Sequence, residues 1–420
     1  MYGDKCRYLS LGEICEYSKE KIEIGKINRL NYISTENMLP NKEGIVEASS
    51  IPNTKTVTYY QNADILVSNI RPYFKKIWYA NKSGGASNDV LVFKIKDKNI
   101  IDSKYIYYNL IQDIFFDYVM SGAKGTKMPR GDKDAIFKYE IRVPELQEQI
   151  KITNILSSLD DKIELNNEMN KTLEEMAQTL FKRWFVDFEF PNEDGEPYKS
   201  SGGEMVKSEL GMIPKGWMCG SLGDLCEIAS SKRIFMKDYV QYGIPFFRGK
   251  EVIEKSKGKS ISTELFITEE KYNEIKEKFG VPEKNDILLT SVGTLGVSYL
   301  VNDERFYFKD GNLTWFKSFK DYSFNIFVYE FLNSTIGKIA LDEITIGSTQ
   351  KALTISSLKQ IKIIIPNIEI LRRFYNISGS FIDNIRINEN NREKLIELRD
   401  SLLPKIMSGE IRVEEIEANL

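Results

Sequence analysis

No histidine occurs anywhere in the 420 residues. Its absence removes the commonest general base and metal ligand, so imidazole-bound zinc, histidine-dependent nucleases and histidine triads are excluded. Cysteine is scarce as well, with only Cys6, Cys15, Cys219 and Cys226. Cys15 and Cys226 fall at matching places in LGEICE and LGDLCE, as small buried apolar residues would, and no CxxC knuckle or disulfide framework is present. No apolar run approaches the roughly 18 residues of a membrane span, and the opening MYGDKCRYLSLGEIC lacks a signal-peptide stretch. The expected location is therefore the cytoplasm, without a membrane partner. A large excess of one charge is also missing: 58 Lys and Arg face 61 Asp and Glu, a net of −3. Such a chain does not coat nucleic acid indiscriminately, although a local basic surface stays open to it. Carboxylate–Mg²⁺ chemistry is formally available, but spacing singles out no carboxylate pair.

What is present is present twice. GTKMPRGDKDAIFKYEIRVP runs from Gly125 to Pro144, and GSTQKALTISSLKQIKIIIP runs from Gly347 to Pro366, an offset of 222 residues. The offset carries into the stretches that follow, placing Asp161 over Asp383, Ile163 over Ile385, Asn166 over Asn388 and Leu173 over Leu395. Near the start of each copy it is 211, from Leu11-Gly12 against Leu222-Gly223. The second copy therefore holds an 11-residue insertion, expected in the charged stretch from Glu251 to Lys278 as a surface loop or extra helix. A catalytic domain rarely needs to be present in tandem. A reader of a two-part target does.

The length fits two domains plus connecting helices. Residues 1–144 read as a mixed α/β lobe, with β-prone runs at Asp64-Ile-Leu-Val-Ser, Asp89-Val-Leu-Val-Phe-Lys-Ile and Tyr139-Glu-Ile-Arg-Val, and one surface helix over Ser103 to Met120. Residues 215–366 repeat that order, and Asp286-Ile-Leu-Leu-Thr answers the Asp64 strand. Residues 145–190 and 367–412 are each expected to hold a long helix free of internal proline, the first with an aromatic end. Residues 191–214 read as a linker and 413–420 as a tail.

Steps of three and four along the helices select Ile152, Leu156, Leu159, Ile163, Asn166, Asn170, Leu173, Ala177, Leu180 and Trp184 in one, and Phe374, Ser378, Phe381, Ile385, Asn388, Arg392, Leu395, Arg399, Leu402 and Ile406 in the other. A helix near 40 residues is about 60 Å long, and its economical partner is the other helix. Antiparallel packing would turn the tandem repeat into an internal pseudo-two-fold axis, with the helices setting the gap between two half-sites in DNA. Asn166 and Asn388 either fix the register of this seam or sit solvated where the coil opens.

Leu11-Gly-Glu-Ile-Cys, the loop Gly125-Thr-Lys-Met-Pro-Arg, the run Pro144-Glu-Leu-Gln-Glu-Gln-Ile-Lys-Ile, Leu180-Phe-Lys-Arg-Trp-Phe-Val-Asp-Phe and Ser208-Glu-Leu-Gly-Met-Ile-Pro-Lys-Gly-Trp follow one another in that order on the duplicated chain. Through them the whole chain resembles the specificity subunit of Type I restriction–modification systems. The resemblance implies a non-catalytic subunit with two target recognition domains, each binding one half of an asymmetric bipartite sequence in double-stranded DNA. It further implies helices that dock two modification subunits, which use S-adenosylmethionine to methylate adenine. Restriction subunits using ATP and Mg²⁺ can join. The chain agrees in lacking an Asn/Asp-Pro-Pro-aromatic tetrapeptide and a GxxxxGK[ST] loop. It departs from the loop motif in the second copy, where Gly347-Ser-Thr-Gln-Lys-Ala stands.

Candidate DNA contacts follow from charge and backbone freedom. Lys124, Lys127, Arg130 and Lys133 surround the first glycine loop, with Lys127 and Arg130 leading, and Ser348, Thr349, Gln350 and Lys351 occupy the second. Arg71, Lys75 and Lys76 interleave with Tyr73 and Phe74, and an arginine can pair bidentately with guanine. Arg29, Lys55, Lys232, Arg233, Arg248 and Lys250 are weaker candidates, resting on charge alone. Each of these sets also reads as a solvated or core-packing segment. Trp184, Phe185, Phe188 and Phe190 either cap the coil or anchor the modification subunit. Met169, Met176 and Leu398 leave apolar area beyond one seam, which favours the presence of a third helix. Two competing readings are a self-contained DNA methyltransferase or nuclease and a scaffold that binds only protein.

Overall fold

The structure, a computed structural model, describes residues 6–125, 127–259, 261, 263–347 and 351–417. The chain divides into two units, one formed by residues 1–163 and 394–420, the other by residues 164–393. Each unit contains one mixed α/β lobe and a portion of both long helices.

In the first unit the strand Arg7–Ser10 runs antiparallel to Glu140–Val143. Ser10 closes this entry with a capping box, its backbone N–H donating to Glu13 Oε2 at 2.7 Å. A four-stranded antiparallel sheet follows in the order Cys15–Tyr17, Val90–Ile95, Ile65–Ser68, Ile77–Tyr79. A second sheet takes the order Lys21–Glu23, Thr56–Tyr60, Gly84–Ala86, Tyr32–Ile33, with the last pair parallel. Gly84 allows that pair to form, because a Cβ there would lie 2.0 Å from the Asn31 carbonyl oxygen. The single helix expected over Ser103 to Met120 is two helices, Ser103–Leu110 and Asp113–Ser121. Gln112 between them is extended, at φ −69° and ψ 148°, and Asp113 favours the new N-terminus.

The second unit repeats the plan in register. Met218–Ser221 pairs with Lys362–Ile365, so that Met218 faces Ile365 as Arg7 faces Val143, and Ser221 with Asp224 repeats the capping box. Glu227–Ala229, Leu313–Lys317, Ile287–Thr290 and Ser298–Leu300 form the antiparallel sheet. The other sheet runs Tyr239–Val240, Phe266–Ile267, Ile244–Phe247, Tyr307–Phe308. Between Phe266–Ile267 and Ile287–Thr290 stands the helix Glu269–Phe279, where the first lobe has only Gln61 to Asp64. That helix accommodates the added length of the second copy. It buries Tyr272 and Ile275 and is N-capped by Thr268.

The long helices span Leu146–Phe181 and Ile368–Ser408. Both units show them antiparallel. In the first, Lys151 pairs with Glu414 and Asp160 with Arg399, so one chain descends as the other rises. In the second, Asn170 accepts from Asn388 at 2.9 Å, and Phe181 lies against Phe374. The second helix is not free of proline. Pro404 sits in its last turns, where the missing N–H removes one bond to the preceding turn close to the point where the helix ends.

Of the seam positions, Asn166 and Asn388 are buried, whereas Leu159, Ile163, Leu173, Leu180, Phe381, Ile385, Leu395 and Leu402 are half-buried. Buried as well are the positions towards the ends of the two series, Ile152, Leu156, Ala177 and Trp184 in one and Phe374, Ser378 and Ile406 in the other, with Phe181, Ile382 and Leu403 beside them. Burial of both asparagines excludes the solvated reading. Asn388 is satisfied by Asn170, and Asn166 Nδ2 finds no partner among the described residues.

Residues 191–214 are not a loose linker. Pro191 and Pro197 bridge, Tyr198 stacks on Phe190 at 4.5 Å, and Met205–Ser208 forms a hairpin with Gly211–Pro214. The polar composition hid this order, because few aromatic anchors suffice to hold the segment down.

Candidate nucleic-acid interface

The glycine loops share one construction in both lobes. In lobe one, Lys124 and Arg130 exchange two backbone hydrogen bonds of 2.9 Å, which closes a five-residue tip starting at Gly125. In lobe two, Ile346 and Ala352 exchange the same two bonds, at 3.0 and 2.9 Å, around a tip starting at Gly347. Gly125 has φ +95° and Gly347 +94°, a left-handed turn that only glycine adopts without strain. Each loop also bridges the residue that leaves the central strand, Ile70 to Arg130 and Val292 to Ala352. The base of each loop is thus pinned to the core at the same point.

This construction brings together two segments that are far apart in sequence. Arg71 N–H donates to the Pro129 carbonyl at 2.8 Å, so the turn Arg71 to Lys76 lies against the base of the loop Lys124 to Arg130. Arg71 and Lys75 hold left-handed backbones, φ +49° and +51°, on either side of the short helical turn Pro72–Phe74. Left-handed geometry costs a residue with a side chain about 1–2 kcal/mol. Strain of this kind is characteristic of functional surfaces.

The cations differ in how far neighbours already use their charge. Lys127 is exposed and makes no ion pair among the described residues. Lys124 is compensated by Asp132 at 2.5 Å, a contact that holds the Asp132 carboxyl below its ordinary range while raising Lys124. Arg130 pairs with Asp89 at 3.1 Å. Lys75 shares Asp113 with Lys42, at 2.9 and 2.6 Å, and the lysines lower that carboxyl. Lys76 donates to the Thr35 carbonyl at 2.6 Å and is partly withdrawn from solvent, which lowers its affinity for a proton. Lys133 lies over the Tyr17 ring at 5.9 Å.

The weaker candidates divide in the same way. Arg29 is held by the Ala48 carbonyl at 2.7 Å and by Glu47 at 3.1 Å, and Lys55 is exposed. In lobe two, Lys232 lies over Phe279 and Arg233 pairs with Asp310 at 2.8 Å. Arg248 grips the fully buried Glu251 at 2.7 Å, and Lys250 lies 3.7 Å from Glu254. Arg248, a candidate for phosphate or base, has a structural task as well, since moving it would strand a buried carboxylate. Lys351 is exposed, whereas Ser348, Thr349 and Gln350 lie outside the described residues.

A polar cleft of about 360 Å³ in lobe one, missed in the sequence, adjoins this surface. Its walls include Tyr32, Ser34, Glu36, Glu47, Ser87 and Asp89, the last being the partner of Arg130. No spacing marked these residues, because the topology gathers them from three separate loops.

The aromatic anchor reading is corrected. Trp184, Phe185, Phe188 and Phe190 are only 4, 5, 8 and 4% exposed and belong to the core of the second unit. Phe190 stacks on Trp217 at 4.9 Å, and Phe185 meets Phe327 and Phe374 edge-on. Side chains spent on this core are not available to a partner.

No described helix is long and apolar enough to cross a membrane, and no group of three His, Cys, Asp or Glu among the described residues is placed to hold a metal ion. Against known proteins, residues 4–175 and 214–398 match the family model of the Type I restriction modification DNA specificity domain. The chain is 31% identical to the Type I restriction enzyme MjaIX specificity subunit of Methanocaldococcus jannaschii, over 76% of this chain and 71% of that protein. It is 24% identical to the HindI specificity subunit of Haemophilus influenzae, over 96% and 98%. Its fold is similar to that of the Type I restriction–modification S subunit from M. genitalium, with a TM-score of 0.60, 16% identity and 97% of each chain covered. Such subunits are non-catalytic, the enzymatic activities residing in other subunits. With two domain matches that follow the two lobes and a close relative across most of its length, the chain belongs to the family of Type I restriction–modification specificity subunits.

Proposed function

We propose that this subunit reads an asymmetric bipartite sequence in double-stranded DNA, one lobe per half-site, and docks two modification subunits on its long helices. The supporting observation is the loop built identically in both lobes but tipped with different residues, Thr-Lys-Met-Pro against Ser-Thr-Gln-Lys. A shared mount with unlike tips suits two readers of unlike half-sites. The exposed Leu165, Met169 and Met176 of the first helix, 45–46% accessible, together with Leu398 of the second, supply apolar area for the modification subunits. S-adenosylmethionine would be bound by those subunits, with ATP and Mg²⁺ bound by restriction subunits, in the cytoplasm. The test is gel-shift competition between specific and random duplexes, using the chain assembled with its modification subunits. A preference for one bipartite sequence is expected; equal competition by all duplexes would sink the reading. Methyl transfer to DNA by this chain alone would instead establish a self-contained enzyme.

A further inference from the structure

Lobe one carries arginines at two positions where the repeat places the smallest residues. Arg71 corresponds to Gly293, and both are left-handed, at φ +49° and +83°. Glycine meets this requirement without strain, whereas arginine does not. Arg130 corresponds to Ala352, each closing its loop by the same pair of backbone bonds. The two arginines meet at one place: Arg71 N–H donates to Pro129, and Ile70 bridges Arg130. Arg71 Nε is shielded from solvent and has no hydrogen-bond partner among the described residues.

A carboxylate steadies the second arginine. Asp89 pairs with Arg130 at 3.1 Å, and its own carbonyl is fixed by the Asn69 N–H at 2.8 Å. The same backbone bond in lobe two joins Ser291 to Asn312, so the acid is missing there together with the arginine. Beyond Asp89 opens the polar cleft, which also contains Glu36 and Glu47. Carboxylates repel phosphate but accept hydrogen bonds from the amino groups of cytosine and adenine. Arg130, ion-paired with one wall of the cleft, and the acceptors inside it match the edges of base pairs in a major groove, whereas a phosphate track would not be lined with acids.

Resting on the reading of lobe one as a DNA-binding domain, we infer that Arg71 and Arg130 determine its sequence specificity by hydrogen-bonding guanine in the major groove, with Asp89 as the positioning residue for Arg130. Lobe two, with Gly293 and Ala352, reads its half-site by other means. Phosphate neutralisation at this loop falls to Lys127.

The experiment selects bound duplexes from a randomised pool, using the chain assembled with its modification subunits, for wild type and for Arg71→Gly, Arg130→Ala and Asp89→Asn. Salt dependence and thermal unfolding are measured alongside. Each arginine variant should relax a guanine-containing position in one half-site by about 5- to 150-fold in discrimination and leave the other half-site unchanged. Arg71→Gly should unfold at the same temperature as wild type or higher, because glycine relieves the left-handed strain. Asp89→Asn should weaken discrimination at the Arg130 position more than it weakens total binding. A uniform loss of affinity over all duplexes with a shallower salt slope would make the arginines phosphate contacts and overturn the inference. Unchanged selection in both arginine variants would overturn it as well. Absence of any preference in wild type would remove the DNA-reading function itself, which distinguishes that failure from the other two.

Discussion

Lys127 allows the electrostatic side of the account to be tested quantitatively. It stands at the tip of the first glycine loop, exposed and without an ion pair among the described residues, so its full charge is available to a phosphate. Each phosphate neutralised contributes about −0.9 to the slope of log K against log salt. Lys127→Ala should therefore make the slope shallower by about 0.9. Between 50 and 200 mM salt, wild-type affinity should then fall about 3.5-fold further than that of the variant. Lys124 provides the control, because Asp132 already compensates it at 2.5 Å. Changing Lys124→Ala together with Asp132→Asn removes a pair with no net charge, and asparagine can still cap the short helix Lys133–Ile136 that Asp132 now caps. That double variant should keep the wild-type slope. The assay is fluorescence anisotropy of a labelled specific duplex with the assembled complex over a salt series. An unchanged slope for Lys127→Ala, or an equal change in the neutral-pair variant, would refute the reasoning.

Three further predictions concern the scaffold. Glu330 is 3% exposed, and burial pushes its carboxyl up from 4.5 to about 8, with Glu174 adding to the rise and a hydrogen bond from Gln178 opposing it. The folded state therefore holds a proton that the unfolded state releases, so the contribution of Glu330 to stability is fully present below pH 4.5 and is lost as pH rises towards 8, by at most about 5 kcal/mol. Glu330→Gln should flatten this dependence in denaturant titrations followed by tryptophan fluorescence, and a variant as pH-sensitive as wild type would contradict it. Phe188→Ala should destabilise the second unit by about 3–5 kcal/mol while leaving assembly with modification subunits intact under folding conditions; lost assembly at unchanged stability would restore the anchor reading. Deleting seven residues from each long helix in register should shorten the permitted gap between half-sites in binding competition, and an unchanged gap would exclude the helices as the ruler.

The repeat was legible in the sequence as two offsets, and the structure keeps them at the level of strand register. Offsets of 211 and 222 place Arg7 on Met218 and Val143 on Ile365, and these four residues pair as the offsets require. Gly125 and Gly347 could be recognised because a left-handed turn leaves few alternatives to glycine. Short strands were harder. Thr56–Tyr60 carries polar and aromatic residues without a clean alternation, and Gly84–Ala86 has almost no side chain to pattern. The break at Gln112 escaped because bulky residues continue across it at helical spacing. For the site, charge marked the candidate cations, but their partners come from other loops. Only the fold shows that Glu251 occupies Arg248, that Asp89 steadies Arg130, and that the first helix's aromatic end is interior to the second unit.

The central claim, that two lobes with unlike surfaces read two half-sites independently, is tested most directly by mapping adenine methylation across the genome of cells expressing this chain with its modification subunits. The account predicts a single motif made of two unlike short half-sites separated by a fixed gap of unread bases. A contiguous or palindromic motif, or methylation that persists unchanged when this chain is removed, would contradict it.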